Sequence, residues 1–154
     1  MKPDWGNTIG SGWRTLTKDE WQYVFNTRTV NGGTGNGKSY TLGQSVNGKL
    51  GIVIYPDNYT GSVYSGSDWA SFEAAGCVFL PAAGFRTLPS SVSVSQQQLS
   101  VDDAGTRGYY WSSSPYTSNV YFAYDVNFAS NYLNLESGGN RRCGSSVRLV
   151  KDAE

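Results

Sequence analysis

The stretch SNVYFAYDVNFASNYLNLESGGNRRCGSSVRLV, residues 118 to 150, alternates apolar side chains with Tyr, Asn, Asp and Ser. In a strand, residues two apart share a face. Phe122, Tyr124, Val126 and Phe128 therefore form one set, and Tyr121, Ala123, Asp125 and Asn127 the other. After a turn at Ala129–Ser130, Leu133 and Leu135 join the apolar set, while Tyr132 and Asn134 stand opposite. The pattern predicts a two-stranded ribbon whose apolar side meets the core, leaving the opposite side free to meet a partner.

Upstream, TLTKDEWQYVFNTR predicts a helix. Thr17 and Glu20 form a capping box, and Trp21, Val24, Phe25 and Arg28 recur at helical spacing on one mostly apolar face. A Gly- and Asn-rich stretch follows and predicts hairpin turns around short strands. KLGIVIYP and CVFLPAAG read as buried strands, DNYTGSVYSGS as a loop, and SDWASFEAAG as a short helix with Ser67 as N-cap and Gly76 as its stop. Residues 85 to 108 form a long polar excursion, a surface hairpin or loop, before the strand YYWSSS and the closing strand SSVRLVKD. Helices first and antiparallel-looking strands after them predict an α+β chain with twisted antiparallel sheets. No long-period repeat and no linker divides its 154 residues, so one domain is expected over 1–154.

Composition narrows the function. Hydrophobic residues make up 38% of the chain and charged ones 16%, with 11 Tyr and 19 Gly. Twelve basic residues balance twelve acidic ones, so no basic field draws nucleic acid or an anionic membrane. No apolar run approaches the roughly 20 residues that span a bilayer. MKPDWGNTIG lacks the apolar stretch of a signal peptide, so export is expected either through a segment absent here or by another route, as in a phage particle. The cysteines Cys77 and Cys143 read as unpaired, partly buried thiols, with a bridge as the alternative. With two Cys and no His, no zinc site of the usual kind is available.

One motif is deceptive. NGGTGNGKS has the letters of a phosphate-binding loop in Gly32, Gly37, Lys38 and Ser39, but that loop must lead into a helix, and YTLGQSVNG is β-like. Asn58–Tyr59–Thr60 matches a glycosylation acceptor, idle in a bacterial or phage setting.

GWRTLTKDEWQYVFNTR, FEAAGCVFLPAAG, GYYWSSS and NRRCGSSVRLV, in that order, carry a resemblance. Together they resemble the C-type-lectin-fold domains of gut Bacteroidales surface proteins, distant relatives of formylglycine-generating enzyme. The same fold carries the variable proteins of diversity-generating retroelements. The resemblance runs from about Asp4 to Lys151. Family members have more chain upstream, so the resemblance leads one to expect a compact variant or one shortened at its start. The resemblance implies a C-type lectin fold and a non-enzymatic domain that binds a receptor through a displayed, hypervariable C-terminal surface. The exposed candidates are Tyr116, Tyr121, Asp125, Asn127, Tyr132, Asn134, Ser137, Asn140, Arg142 and Ser145. Phe122 is buried by alternation yet displayed by resemblance, and Arg141 and Arg148 match structural positions. Composition agrees: Tyr supplies stiff contact area, and Asn and Ser supply adaptable hydrogen bonds. Trp13, Trp21, Trp69 and Trp111 read as core or half-buried anchors, with Trp111 a candidate for sugar stacking; Trp5 reads either way.

Rival readings are weaker. The enzyme that shares the fold needs a closely spaced cysteine pair handling copper and oxygen, and Cys77 and Cys143 are far apart in sequence. No His serves as general base, no partner activates the serines of WSSSPY, and the adjacent Asp102 and Asp103 cannot straddle a glycosidic bond. The family's calcium triplets are missing: WSSS stands where one of them belongs. The expectation is a binder, not an enzyme, without cofactor or metal. Its receptor is a protein or a glycan on another cell or particle, with protein favoured by the breadth of the surface. It is expected outside the cell, at the cell surface or on a phage virion, carried by a pilus, lipoprotein or phage tail. The alternative is a structural or adhesin module of a pilus, surface array or tail fibre.

Overall fold

A computed structural model describes residues 9–30, 39–87 and 100–151. Trp5, the loop with Gly32, Gly37 and Lys38, and the middle of the polar excursion lie outside the described residues. The chain is α+β and mostly β, with little helix and several antiparallel sheets.

Helix α1, Lys18–Gln22, starts as the capping box predicts. Thr17 Oγ1 accepts from the Glu20 amide at 3.2 Å, and Glu20 Oε2 accepts from the Thr17 amide at 2.8 Å. Arg14 adds a fork onto both Glu20 oxygens at 2.7 Å. This guanidinium is the largest of the influences that hold the Glu20 carboxyl down at about 2. The helix then widens into a π-turn, Tyr23–Thr27, closed by Arg28 N–H donating to Tyr23 O at 2.9 Å. Trp21 and Phe25 are buried, and Arg28 donates to the Tyr55 carbonyl at 2.6 Å while pairing with Asp57 at 3.2 Å.

Strand β1, Trp13–Thr15, pairs antiparallel with the last strand, β10, Leu149–Lys151, so that Trp13 lies across from Lys151. Trp13 is 38% exposed, a correction to its reading as an anchor: it stands at the end of a ladder of only two strands. β2, Tyr40–Val46, β3, Lys49–Ile54, and β4, Val78–Pro81, form one antiparallel sheet in the order β2-β3-β4. β2 follows Ser39 directly, so the phosphate-loop letters lead into a strand. β2 and β3 turn through Asn47 and Gly48, both with positive φ, as the tightest hairpin turns require. The continuous apolar run of β3 has a plain cause. Ile52 and Ile54 face one buried cluster with Trp21, Phe25, Leu80, Tyr110, Val126 and Phe128. Val53, followed by Tyr55, faces a second with Val30, Val46, Tyr59, Tyr64 and Cys77. The strand is therefore apolar on both sides.

Helix α2, Trp69–Ala74, covers the second cluster with Trp69 and Phe72. Its N-cap is Asp68 at φ 56, not Ser67, and makes no side-chain cap. The left-handed residue redirects the chain one position later than the sequence suggests. Gly76, at φ 86, follows its end as expected. β5, Phe85–Thr87, pairs with β6, Ser100–Asp102, so the described part of the polar excursion is a hairpin. β7, Gly108–Pro115, β8, Phe122–Ala129, and β9, Tyr132–Asn140, make the C-terminal sheet in that order. Isolated bridges from Gly144 to Arg86 and from Ser146 to Tyr110 lay the returning chain along β5 and β7. Cys77 and Cys143 are both free thiols.

Candidate functional site

The ribbon is made by β8 and β9, and two irregularities decide what it presents. Between Trp111 and Pro115, four steps of β7 match only the two from Asp125 to Ala123 on β8, so β7 carries two extra residues. They serve the helix. Ser114 Oγ accepts the Lys18 amide at 3.0 Å, the Ser113 amide donates to Leu16 O at 2.9 Å, and Trp21 Nε1 donates to Trp111 O at 3.4 Å. On β9, three steps from Asn134 to Ser137 match the two from Asn127 to Asp125, a bulge of one residue.

Below these bulges the alternation holds on the apolar side. Val126 and Phe128 are buried against Tyr110, and Leu133 and Leu135 pack with them. The opposite side is not open, which corrects the expectation for Asp125. It is 3% exposed, with one carboxylate oxygen buried and unpartnered. Burial pushes its carboxyl up, and a hydrogen bond from Ser137 only partly opposes this. Asn127 follows two residues on, and its side-chain oxygen is likewise buried without a partner. Cover comes from Trp111 and from the chain returning after β9. A Cβ on Gly139 would lie 2.6 Å from the Trp111 ring and 2.7 Å from Asp125 Oδ2, and the Cys143 thiol, raised first by burial, is near enough to be raised by the Asp125 charge as well. Alternation along one strand cannot register cover supplied from elsewhere in the chain.

The other candidates separate. Tyr116, Tyr121, Asn140 and Arg142 gather where the β7–β8 connection meets the end of β9. Tyr121 is 73% exposed and its neighbour Val120 78%. Asn119 folds this loop by accepting the Tyr121 amide at 2.9 Å, while its backbone carbonyl accepts from Phe122 at 3.1 Å. Arg141 locks it from the side, its backbone amide donating to Tyr121 O at 2.9 Å and its Nε to Phe122 O at 2.8 Å. That is the structural role the resemblance implies for Arg141. Tyr132 is exposed at the opposite end of the sheet, beside the β8–β9 turn. Asn134 and Ser137 are half-buried, Asn134 accepting from the Glu136 amide at 2.9 Å and Ser137 donating to Asp125. Ser145 is half-buried in the returning chain.

At the exposed end lies a cleft of about 300 Å³ between Tyr116, Ser118, Asn119, Phe122 and Gly138. Phe122, ambiguous in sequence, is half-buried and lines it. An aromatic row leads away from it: Tyr116 lies 6.3 Å from Phe122 and 4.7 Å from Tyr124, and Lys18 Nζ sits 4.9 Å above the Tyr124 ring. Lys18 also pairs with Glu136 at 3.2 Å. Gly138 leaves room for the Tyr116 ring, since a Cβ would lie 2.9 Å from its edge. Sequence reasoning missed Ser118, Asn119 and Val120 because it followed the strands; the short polar run TSN between two aromatic-rich strands was the available signal.

Burial raises the thiols, Cys77 to about 11, and so disfavours a reactive thiolate. Asp102 is occupied by Thr87 Oγ1 at 2.8 Å and Asp103 by Tyr109 OH at 2.6 Å. Among the described residues, no three His, Cys, Asp or Glu side chains stand close enough to share a metal ion.

Residues 65–150 match the family described as Domain of unknown function (DUF8237). The chain belongs to this family. The match runs from the turn before α2 through the C-terminal sheet, so it takes in the whole candidate site and leaves out helix α1. No curated protein and no solved structure matches the chain.

Proposed function

We propose that the protein is a non-enzymatic binding domain of C-type lectin fold. Its receptor surface is the end of the C-terminal sheet built from Tyr116, Tyr121, Phe122, Asn140 and Arg142. One observation carries the reading: Val120 and Tyr121 project from a loop that backbone hydrogen bonds from Phe122 and Arg141 hold rigid. Large apolar side chains left in solvent on an ordered loop mark interaction surfaces. Stiff Tyr contacts beside Asn and Ser donors suit a broad protein partner on another cell or particle. Two short helices set among several antiparallel sheets support the lectin-fold reading, as do the four sequence motifs. The same surface is where diversity-generating retroelement variable proteins, by resemblance, concentrate substitution. A host scaffold such as a pilus, a lipoprotein or a phage tail would present it outside the cell.

The test is a double variant, Val120→Ser with Tyr121→Ser. Both side chains are solvent-exposed, so melting should stay within about 2 °C of wild type. Labelling of the cells or particles that the fluorescent wild-type protein marks should be lost. Undiminished labelling by the folded double variant overturns the reading. Diversification has its own check in the neighbouring DNA: a reverse transcriptase beside a near-copy of the codons for residues 109 to 150, differing mainly at adenines.

A further inference from the structure

The second buried cluster has an opening that the ribbon does not share. A cleft of about 430 Å³ lies between the β2–β3 turn, α2, β4 and the chain entering β10. Its walls include Asn47, Lys49, Trp69, Glu73, Phe79 and Arg148. The volume falls within the usual range for small-molecule sites, about 300–1,000 Å³. Trp69 and Phe79 form its apolar floor, half-buried and edge-to-face with ring centroids 5.9 Å apart. Tyr64 buttresses Trp69 from behind at 5.7 Å, so the indole is held in place before anything binds.

The charges around this floor are not paired with one another. Lys49, Glu73 and Arg148 are exposed, and the ion pairs among the described residues join other side chains: Arg14 with Glu20, Lys18 with Glu136, and Arg28 with Asp57. Arg148, which the sequence assigns to structure, thus differs from Arg141, whose guanidinium is spent on a backbone carbonyl. Two cations at one mouth suit a carboxylate. A bare, dense anion such as phosphate is disfavoured by Glu73 in the same wall. A ring carrying one carboxylate and several hydroxyls satisfies every group. The carboxylate meets Lys49 and Arg148, hydroxyls donate to Glu73 and exchange hydrogen bonds with Asn47, and the apolar C–H face of the ring lies on Trp69 and Phe79.

We infer that this cleft is a binding site for an acidic sugar, a pyranose bearing a carboxylate, separate from the displayed end of the C-terminal sheet. It stands or falls independently of the receptor surface, because the two share no residue.

The experiment titrates digalacturonate into the ¹⁵N-labelled protein and follows the Trp69 indole N–H signal. Lactose serves as the neutral sugar and acetate as the bare carboxylate. Digalacturonate should shift the Trp69 signal saturably, and lactose and acetate should each bind at least about tenfold more weakly, the effect of losing a charge-assisted hydrogen bond or the ring contact. Lys49→Gln and Arg148→Gln should each weaken digalacturonate binding about tenfold while leaving melting unchanged. Should either variant fail to fold, raising sodium chloride on the wild-type protein replaces it, and the digalacturonate affinity must fall. A Trp69 signal that stays still, one that responds equally to lactose or acetate, or an affinity indifferent to both charge removal and salt overturns the proposal.

Discussion

The two halves of the C-terminal sheet are built from the same residue types and do opposite things. In the half that holds Tyr110, Asp125, Val126 and Phe128, both faces are covered: one by α1 and the β2-β3-β4 sheet, the other by Trp111 and the returning chain. In the half that holds Tyr116, Tyr121 and Phe122, the loop stands in solvent and the aromatic rings line a cleft. The bulges opposite Asp125 divide them. A polar residue on a strand is thus a surface residue only where no later segment of chain lies over it. Composition alone does not separate a buried Asp125 from an exposed Tyr121.

The sharpest way to test that division is to remove a large side chain from the covered half. Phe128→Ala should cost about 3–5 kcal/mol, measured by urea unfolding, because Phe128 is fully enclosed and the cavity cannot collapse. A cost near that of an exposed residue would mean the covered half is not packed as described. The neighbouring glycines give a finer comparison within a single strand. Gly139→Ala drives a methyl into the Trp111 ring and the Asp125 carboxylate and should cost about 1–3 kcal/mol. Gly138→Ala meets only the edge of Tyr116, which borders the open cleft and can yield, so it should cost less. Equal costs would erase the boundary between the halves.

The smallest effect is electrostatic. Burial raises the Asp125 carboxyl above its ordinary value of 3.8, so the folded chain keeps that proton to a higher pH than the unfolded one. The resulting penalty is absent below the unfolded value and sets in as pH rises towards the folded one. Asp125→Asn should therefore match wild type in acid and exceed it by about 1 kcal/mol at neutral pH, read from urea unfolding at both. Glu20 titrates in the opposite sense: its lowered carboxyl stabilises the fold above the unfolded value, and that support fades as pH falls towards about 2. A variant no more stable at neutral pH would place Asp125 in water.

Much of the architecture was legible because its causes are local. Thr17 and Glu20 announced the helix start, and the unbroken apolar run of β3 announced a strand buried on both faces. Leu133 and Leu135 fell on the core side as alternation requires. What escaped was non-local. The β7 bulge exists to bond the start of α1, more than ninety residues upstream. The burial of Asp125 depends on chain that returns after β9, and the cap of α2 depends on a left-handed Asp68 that no side-chain pattern marks. For the candidate site, the exposed Tyr121 and Arg142 and the half-buried Tyr116 and Asn140 were legible in the sequence. Asn119 and Val120 were not, since loop geometry has no periodicity to read.

The pairing of β1 with β10 has a mechanical consequence. Trp13 and Lys151 face each other at the outer end of that short antiparallel ladder. Tension drawn through both of them at once would open the rungs singly, like a zip, whereas a load that enters by one strand and leaves through the tip around Tyr121 does not pull the two strands apart from that shared end. A domain tethered at one end and gripped at its tip would hold against a pull that parts it easily when both ends are tugged.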